Sequence, residues 1–275
     1  MNIKTAVITG AASGIGHALA VSLAATGVRV ILADIEQERA EARATDIRAS
    51  GGDAVAMFAD HADEASLIAL ADASFAHLGS VDALFANAGV GAGGAIHTTP
   101  QRNVDWVLAV NLMGPLWLSR AFVPRLIAQE TPSHFVITGS EHALGLPERG
   151  GAASIYTVSK HAVLGLAETL RRDLADTPVA VSIICPAVVT TDIWNPMRNR
   201  HERFGGVRVV DESKRPPGQI GLDPETAATR ILAGLADGEF YLFSHGADVA
   251  EVTQARATEQ DAALDRFNAR FGSLA

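Results

Sequence analysis

Tyr156 and Lys160 stand four residues apart in "YTVSK", in a segment whose apolar positions Ile155, Val163, Leu166 and Leu170 follow a helical period. Residues at that spacing share one helix face. A free tyrosine, with a pKa near 10, is a poor base at neutral pH. An ammonium group about 4 Å from the phenol, at an effective dielectric near 20, would favour the phenolate by roughly 4 kcal/mol, on the order of three pKa units. A phenol tuned in this way can take the proton from an alcohol as hydride leaves the carbon that bears it. A Tyr and a Lys at helical spacing are common by chance, so the pair gains meaning from what the chain places around it.

The second feature is "TGAASGIG", Thr9 to Gly16, directly behind the apolar run Ala6-Val7-Ile8. A tight turn needs one glycine, and this one holds Gly10, Gly14 and Gly16. A glycine-rich turn between a strand and a helix leaves N–H groups free at the helix N-terminus, here around Ser13, Gly14 and Ile15. Those donors and the helix dipole suit an anion, and the missing Cβ atoms let a pyrophosphate approach. Asp34 ends the second apolar run 18 residues after Gly16, where a carboxylate can accept hydrogen bonds from both hydroxyls of an adenosine ribose. Neither Ile35 nor Ser13 brings a positive charge for a 2′-phosphate. The pocket is therefore expected to take NAD and repel NADP.

The elements that must hold these groups recur with a simple rhythm. Short apolar runs at Thr5–Thr9, Arg29–Ala33, Ala54–Phe58, Ala83–Ala86, His134–Thr138, Ala180–Cys185 and Glu239–Phe243 alternate with helical stretches. Strands apolar on both faces imply a parallel sheet covered on each side. The expected fold is α/β, a single doubly wound Rossmann-type domain over 1–275 with a seven-stranded, mostly parallel sheet flanked by helices. Ligands of such folds bind beyond the carboxyl ends of the strands. The glycine cluster, Asp34, Asp60, Asn87, Ser140 and Pro186 each close a different strand, which reads as one crevice. Residues 192–222 carry Trp194, Met197, Phe204 and several Gly and Pro with no clear period, the pattern of a substrate lid. Residues 247–271 return to helical spacing, with Val249, Val252, Ala255, Leu264, Phe267 and Phe271 as buried positions of a packing helix or a subunit interface.

Composition narrows the class further. The chain has 275 residues, 48% hydrophobic and 19% charged, with a net charge of −9 that argues against nucleic-acid binding. No window holds 18 uninterrupted apolar residues, so no membrane span is expected, and the N-terminus lacks signal-peptide architecture. The single Cys185 lies in an apolar run and reads as a buried thiol, which fits a cytoplasmic protein. His97, His201 and His245 form no ligand-spaced cluster, so no metal is assigned. His142 reads as a loop histidine without a catalytic task, and Trp106 and Trp117 as core or interface residues.

Over roughly residues 3–192 the sequence resembles the short-chain dehydrogenase/reductase family, through "TGAASGIG", "ADI" with Asp34, "FAD" with Asp60, "NAG" at Asn87–Gly89, Asn111 in "AVNLMG", Ser140 in "ITGSEH", "YTVSK" and "CPAVVTTD". The resemblance implies that Tyr156 is the general acid/base, and that Lys160 binds the nicotinamide ribose and lowers the tyrosine pKa. It implies that Ser140 holds the substrate oxygen and that Asn111 anchors a water in a proton relay through Lys160. Asp60, with His61 beside it, would contact the adenine. Asn87, Ala88 and Gly89 would flank the adenosine ribose, and Val189 with Thr191 would hold the carboxamide. Three departures stand out: a Ser140 to Tyr156 interval about three residues longer than usual, Ala187 after Pro186 in place of glycine, and Ala86 where a second asparagine is common. Trp194, Met197 and Phe204, together with Ala143, Leu144 and Leu146, lean toward a bulky hydrophobic secondary alcohol or its ketone. The resemblance also implies a homo-oligomer, a dimer or a tetramer, built through a helix from about Arg102 to Gln129, apolar on more than one face, and the helix that carries Tyr156.

Overall fold

A computed structural model describes residues 3–147, 153–208 and 221–272. Seven strands form one sheet in the order β3-β2-β1-β4-β5-β6-β7: β1 (Thr5–Thr9), β2 (Arg29–Asp34), β3 (Ala54–Phe58), β4 (Ala83–Ala86), β5 (Ser133–Thr138), β6 (Val179–Cys185) and β7 (Tyr241–Phe243). Every neighbouring pair runs parallel. The expected architecture is therefore the one observed, with β2, β5 and β6 each one residue longer than the apolar runs and β7 two residues shorter.

Strand alternation sends side chains to two covered faces. On one face Val7, Leu84, Phe135 and Ile137 pack under α3 (Glu64–Leu78), α5 (Gly114–Ala128) and α6 (Ser154–Asp173), which bring Leu67, Leu118, Phe122 and Val163. On the other, Ile8, Leu32, Phe85 and Val136 meet α1 (Gly14–Ala25), α2 (Gln37–Ala49) and α7 (Pro224–Ala236), which bring Leu19, Ile47 and Ile231. The helix ends obey local chemistry: Asp63 caps α3 by accepting from the Ala65 amide, and Asp223 caps α7 by accepting from Thr226 ahead of Pro224 at the first turn. A third, smaller cluster of Trp106, Val107, Val110, Ile155 and Phe204 sits beyond the carboxyl ends of the strands, over α4 (Gln101–Leu108).

The stretch Gln101–Ala128 is continuous and, by length and composition alone, apolar enough to cross a bilayer; Leu118, Phe122 and Leu126 instead bury against the sheet. Between α4 and α5 the helix passes through a π-helical turn at Ala109–Met113. Pro115 has no N–H to offer the Asn111 carbonyl four residues back, and the Gly114 amide reaches the Ala109 carbonyl, five back. The last helix, α8 (Ala247–Phe271), buries Val249, whereas Leu264, Phe267 and Phe271 are more than half exposed on this single chain. The sequence pattern had marked all four for burial. Of the irregular stretch 192–222, three single 3₁₀ turns at Asp192–Trp194, Pro196–Asn199 and Glu202–Phe204 are described; 209–220 and the Trp194 side chain lie outside the described residues.

Candidate active site

Strand order reverses between β1 and β4, and the crevice that opens there is a cavity of about 590 Å³. Its walls include Gly10, Ser13, Gly14, Ile15, Asp34, Ile35, Asp60, His61, Asn87, Ala88, Gly89, Ser140, Tyr156, Lys160, Val189 and Thr191. The strand ends thus converge on one space. Asn111 and Gly16 stand just behind this wall.

Each glycine of the first turn has its own reason. Gly10 and Gly14 adopt left-handed backbone, φ +65° and +57°. A Cβ on Gly10 would come 2.8 Å from the Ala88 Cα, and one on Gly14 would come 2.9 Å from the Thr191 methyl. At Gly16 a Cβ would lie 2.3 Å from the Gly10 carbonyl oxygen and 2.6 Å from the Asn87 amide nitrogen. The turn is packed against its neighbours with no room for side chains. No side chain caps α1, and among the described residues the amides of Gly14, Ile15 and Gly16 have no acceptor. A free, uncapped helix start that faces a cavity suits a pyrophosphate.

Asp34 is held rigidly at the end of β2. Its Oδ2 accepts from the Ala12 amide and its Oδ1 from the Glu36 amide, both at 2.9 Å, so the carboxylate is fixed from behind and keeps its remaining lone pairs for the cavity. Burial pushes its pKa up, against the pull of those two amides. The residues beside Asp34 in the chain bring no cation, as expected, but space does: Arg198 lines the same cavity, and Arg39 stands one helical turn into α2. Both guanidinium groups were missed because neither adjoins the motif.

Other residues of the site have partners of their own within the chain. The Asn87 side chain donates to the carbonyls of Thr9 and Gly10 and accepts from the Thr138 hydroxyl at 3.1 Å, tying three strand ends together, so the backbone of 87–89 forms the wall. The Asn111 side chain is a clamp: Oδ1 accepts from the Val90 amide at 2.8 Å, and Nδ2 donates to the Val90 carbonyl at 2.9 Å and to the Ser159 hydroxyl at 3.0 Å. Asp60 turns its carboxylate to the Ala62 amide at 2.8 Å. Buried His61 is driven down to about 4 by loss of water, and its Nε2 has no partner among the described residues. Thr191 caps the turn at 192–194, and Val189 bridges to Leu222.

The ammonium of Lys160 lies over the Tyr156 ring and also has a backbone partner that spacing did not announce. Lys160 donates to the Thr138 carbonyl at 2.7 Å and its Nζ lies 5.6 Å from the centre of the Tyr156 ring. Burial lowers its pKa to about 8, and the ammonium form still prevails at neutral pH. Tyr156 is pushed up to about 12 by burial, with the charge of Glu141 adding to the rise and the Ser140 hydroxyl working downward. Ser140 is buried, and its Oγ also accepts from the His142 amide at 3.2 Å. The His142 ring meets Tyr156 edge-on at 5.3 Å, and its Nδ1 lies 2.8 Å from the Thr157 hydroxyl. Trp106 forms part of the cavity wall with Val110, Met197 and Phe204, while Ala143, Leu144 and Leu146 do not line it. Among the described residues no group of His, Cys, Asp or Glu is arranged to hold a metal.

A parallel sheet, an anion-ready helix start and an acidic residue at the second strand end define a dinucleotide-binding fold, and a half-buried Tyr with a buried Ser and Lys beside it defines an oxidoreductase site. The comparisons agree. The family description "short chain dehydrogenase" matches residues 4–202. The chain is 37% identical over 244 residues to 1-deoxy-11-beta-hydroxypentalenate dehydrogenase of Streptomyces avermitilis, covering 88% of this chain and 84% of that one. A short chain dehydrogenase/reductase from Burkholderia phymatum in complex with NAD matches with a TM-score of 0.83 and 35% identity, over 96% of this chain and 95% of that one. A short-chain dehydrogenase from Sphingobium yanoikuyae in complex with NADPH matches with a TM-score of 0.75 and 25% identity, over 96% of each chain. The protein belongs to the short-chain dehydrogenase/reductase family, oxidoreductases that act on hydroxyl groups with a nicotinamide dinucleotide.

Proposed function

We propose that this protein is an NAD-dependent dehydrogenase that interconverts a bulky, hydrophobic secondary alcohol and its ketone. One observation carries the reading: Tyr156, Ser140 and Lys160 line the same 590 Å³ cavity as the glycine turn and Asp34. The uncapped start of α1 would hold the pyrophosphate, Asp34 the adenosine ribose, and Val189 with Thr191 the carboxamide end. The bound dinucleotide supplies the hydride acceptor or donor. Tyr156 takes the alcohol proton at its phenol oxygen, and Ser140 orients the substrate oxygen toward it and favours the charged phenol. Lys160 fixes the ribose side and passes the proton on. The Asn111 clamp holds the loop at Val90, against which that relay is built.

NAD is supported by Asp34 and by the NAD complex of the Burkholderia relative. The bulk and polarity of the substrate are supported by the aromatic wall of Trp106 and Phe204 with Met197, and by the hydroxypentalenate named for the Streptomyces relative. The half-buried Leu116, Trp117 and Ala121 of α5 and Leu164 and Leu166 of α6 support a homodimer through these two helices. The functional test follows NADH absorbance with a panel of secondary alcohols, terpenoid and aryl compounds included, with NAD and NADP in parallel. Turnover with NAD at higher kcat/KM than with NADP is expected; preference for NADP overturns the cofactor assignment.

A further inference from the structure

We propose that Glu36 and Asp192 are determinants of cofactor choice: they hold Arg39 and Arg198 away from the 2′-position, so that Asp34 is not the sole barrier to a 2′-phosphate. The proposal rests on the NAD reading above and names residues that act on it from outside the motif. Glu36 follows Asp34 by two residues and donates its amide to the Asp34 carboxylate at 2.9 Å. Its own carboxylate turns the other way, across 162 residues of chain, and one oxygen accepts from Arg198 Nη2 at 3.0 Å and Nε at 3.3 Å. The remaining guanidinium nitrogen of Arg198, Nη1, donates to the Asp192 and Asn195 carbonyls at 3.2 and 3.0 Å. Arg39 is divided in the same way, 2.7 Å from the Asp192 carboxylate and 3.4 Å from Glu36.

Every guanidinium nitrogen of Arg198 is therefore committed to an acceptor on the lid segment or on Glu36, although Arg198 lines the cavity together with Asp34, Ser13 and Ile35. Three carboxylates, Asp34, Glu36 and Asp192, face two cations, which leaves the 2′ end of the cavity net negative. Single exposed ion pairs are weak, but these side chains are only 22–40% exposed and share acceptor oxygens in one network. Removal of Asp34 alone takes away one negative charge and leaves both arginines engaged. Removal of all three carboxylates releases Arg39 and leaves Arg198 tied only through Nη1 to the Asp192 and Asn195 carbonyls, so that its Nε and Nη2 can turn to a phosphate.

The test uses nucleotides without redox chemistry. Binding of 2′,5′-ADP and of 5′-AMP is measured by calorimetry for the unmodified protein, Asp34→Ser, and Asp34→Ser/Glu36→Gln/Asp192→Asn. The ratio of the two affinities isolates the 2′-phosphate. From the single to the triple variant that ratio should rise at least about tenfold, the gain of one charge-assisted hydrogen bond, and should fall with salt in the triple variant. A single variant that already shows the full rise, or a triple variant that keeps 5′-AMP binding with no rise, overturns the proposal. If the triple variant binds neither nucleotide, Asp34→Ser/Glu36→Gln frees Arg198 alone and must show an increase over Asp34→Ser, or the proposal fails. Preference of the unmodified protein for 2′,5′-ADP overturns the NAD reading instead, so the two failures are distinct.

Discussion

Replacing Ser140 by alanine isolates the hydroxyl that opposes burial at the phenol proposed to carry the proton. Tyr156 is pushed up to about 12 because burial and the Glu141 charge both disfavour phenolate, and Ser140 is the group that favours it. A hydrogen bond to a charged group contributes about 1.5–3 kcal/mol, which is about 1–2 pKa units. The sign follows directly: with the favouring hydroxyl gone the phenol pKa rises, and oxidation, which needs the phenolate, falls about 10–100-fold at any pH below that pKa. The pH at which kcat/KM for oxidation levels off should move upward. Ser140 also accepts from the His142 amide and so caps a short turn, a local contribution of about 1 kcal/mol that a thermal melt reads separately. The assay is a pH–rate profile of Ser140→Ala against the unmodified enzyme, in the oxidation direction. A profile lowered evenly at every pH, with its midpoint unmoved, refutes the tuning role and leaves Ser140 as a substrate anchor only.

Lys160→Met should abolish turnover and remove an alkaline gain in stability. The folded-state pKa near 8 lies below the ordinary 10.5, so the cation is penalised below pH 8 and the penalty vanishes as pH rises to 10.5. Relative to the variant, the unmodified protein should gain on the order of 3 kcal/mol across that window in denaturant melts; parallel curves would contradict it. Gly16→Ala forces a methyl against the Gly10 carbonyl, so about 1–3 kcal/mol of stability and at least about tenfold in NADH affinity should be lost by melt and fluorescence titration. Unchanged NADH binding would show that the turn is not the phosphate cradle. Light scattering coupled to size exclusion should give at least twice 28.7 kDa, and a monomer at micromolar concentration refutes the α5–α6 interface.

Much of the sheet was legible because buried parallel strands must be apolar on both faces, and runs such as Ala83–Ala86 have no other economical reading. The glycine turn was legible because three positions without Cβ in eight residues demand a close approach. What the sequence hid depends on direction and distance in space. Side chains four apart share a face, and Lys160 does lie over the tyrosine ring, but its hydrogen bond to the Thr138 carbonyl follows from the fold and not from spacing. Arg198 reaches Glu36 from 162 residues away, beyond any spacing rule. Trp106 fits the helical period of a core residue, and only the fold turns its ring into a cavity wall. One signal was available and unread: Pro115, four residues after Asn111, marks the place where the helix must change its hydrogen bonding. The apolar residues at the end of α8 follow a helical period without meeting this chain's core, so their pattern reports a helix and not its burial.

In the proposed mechanism a half-buried tyrosine carries the proton, so its loss should leave the dinucleotide site next to it intact. The direct measurement compares Tyr156→Phe with the unmodified enzyme, recording turnover with NAD and a secondary alcohol that the panel identifies, and NADH affinity by fluorescence titration. The ring and its packing against His142 are kept, and the phenol oxygen is lost. Turnover should fall at least about 10²-fold, the lower range for loss of a general acid/base, while NADH binding changes little. A variant that retains half the unmodified rate with the fold intact contradicts the account.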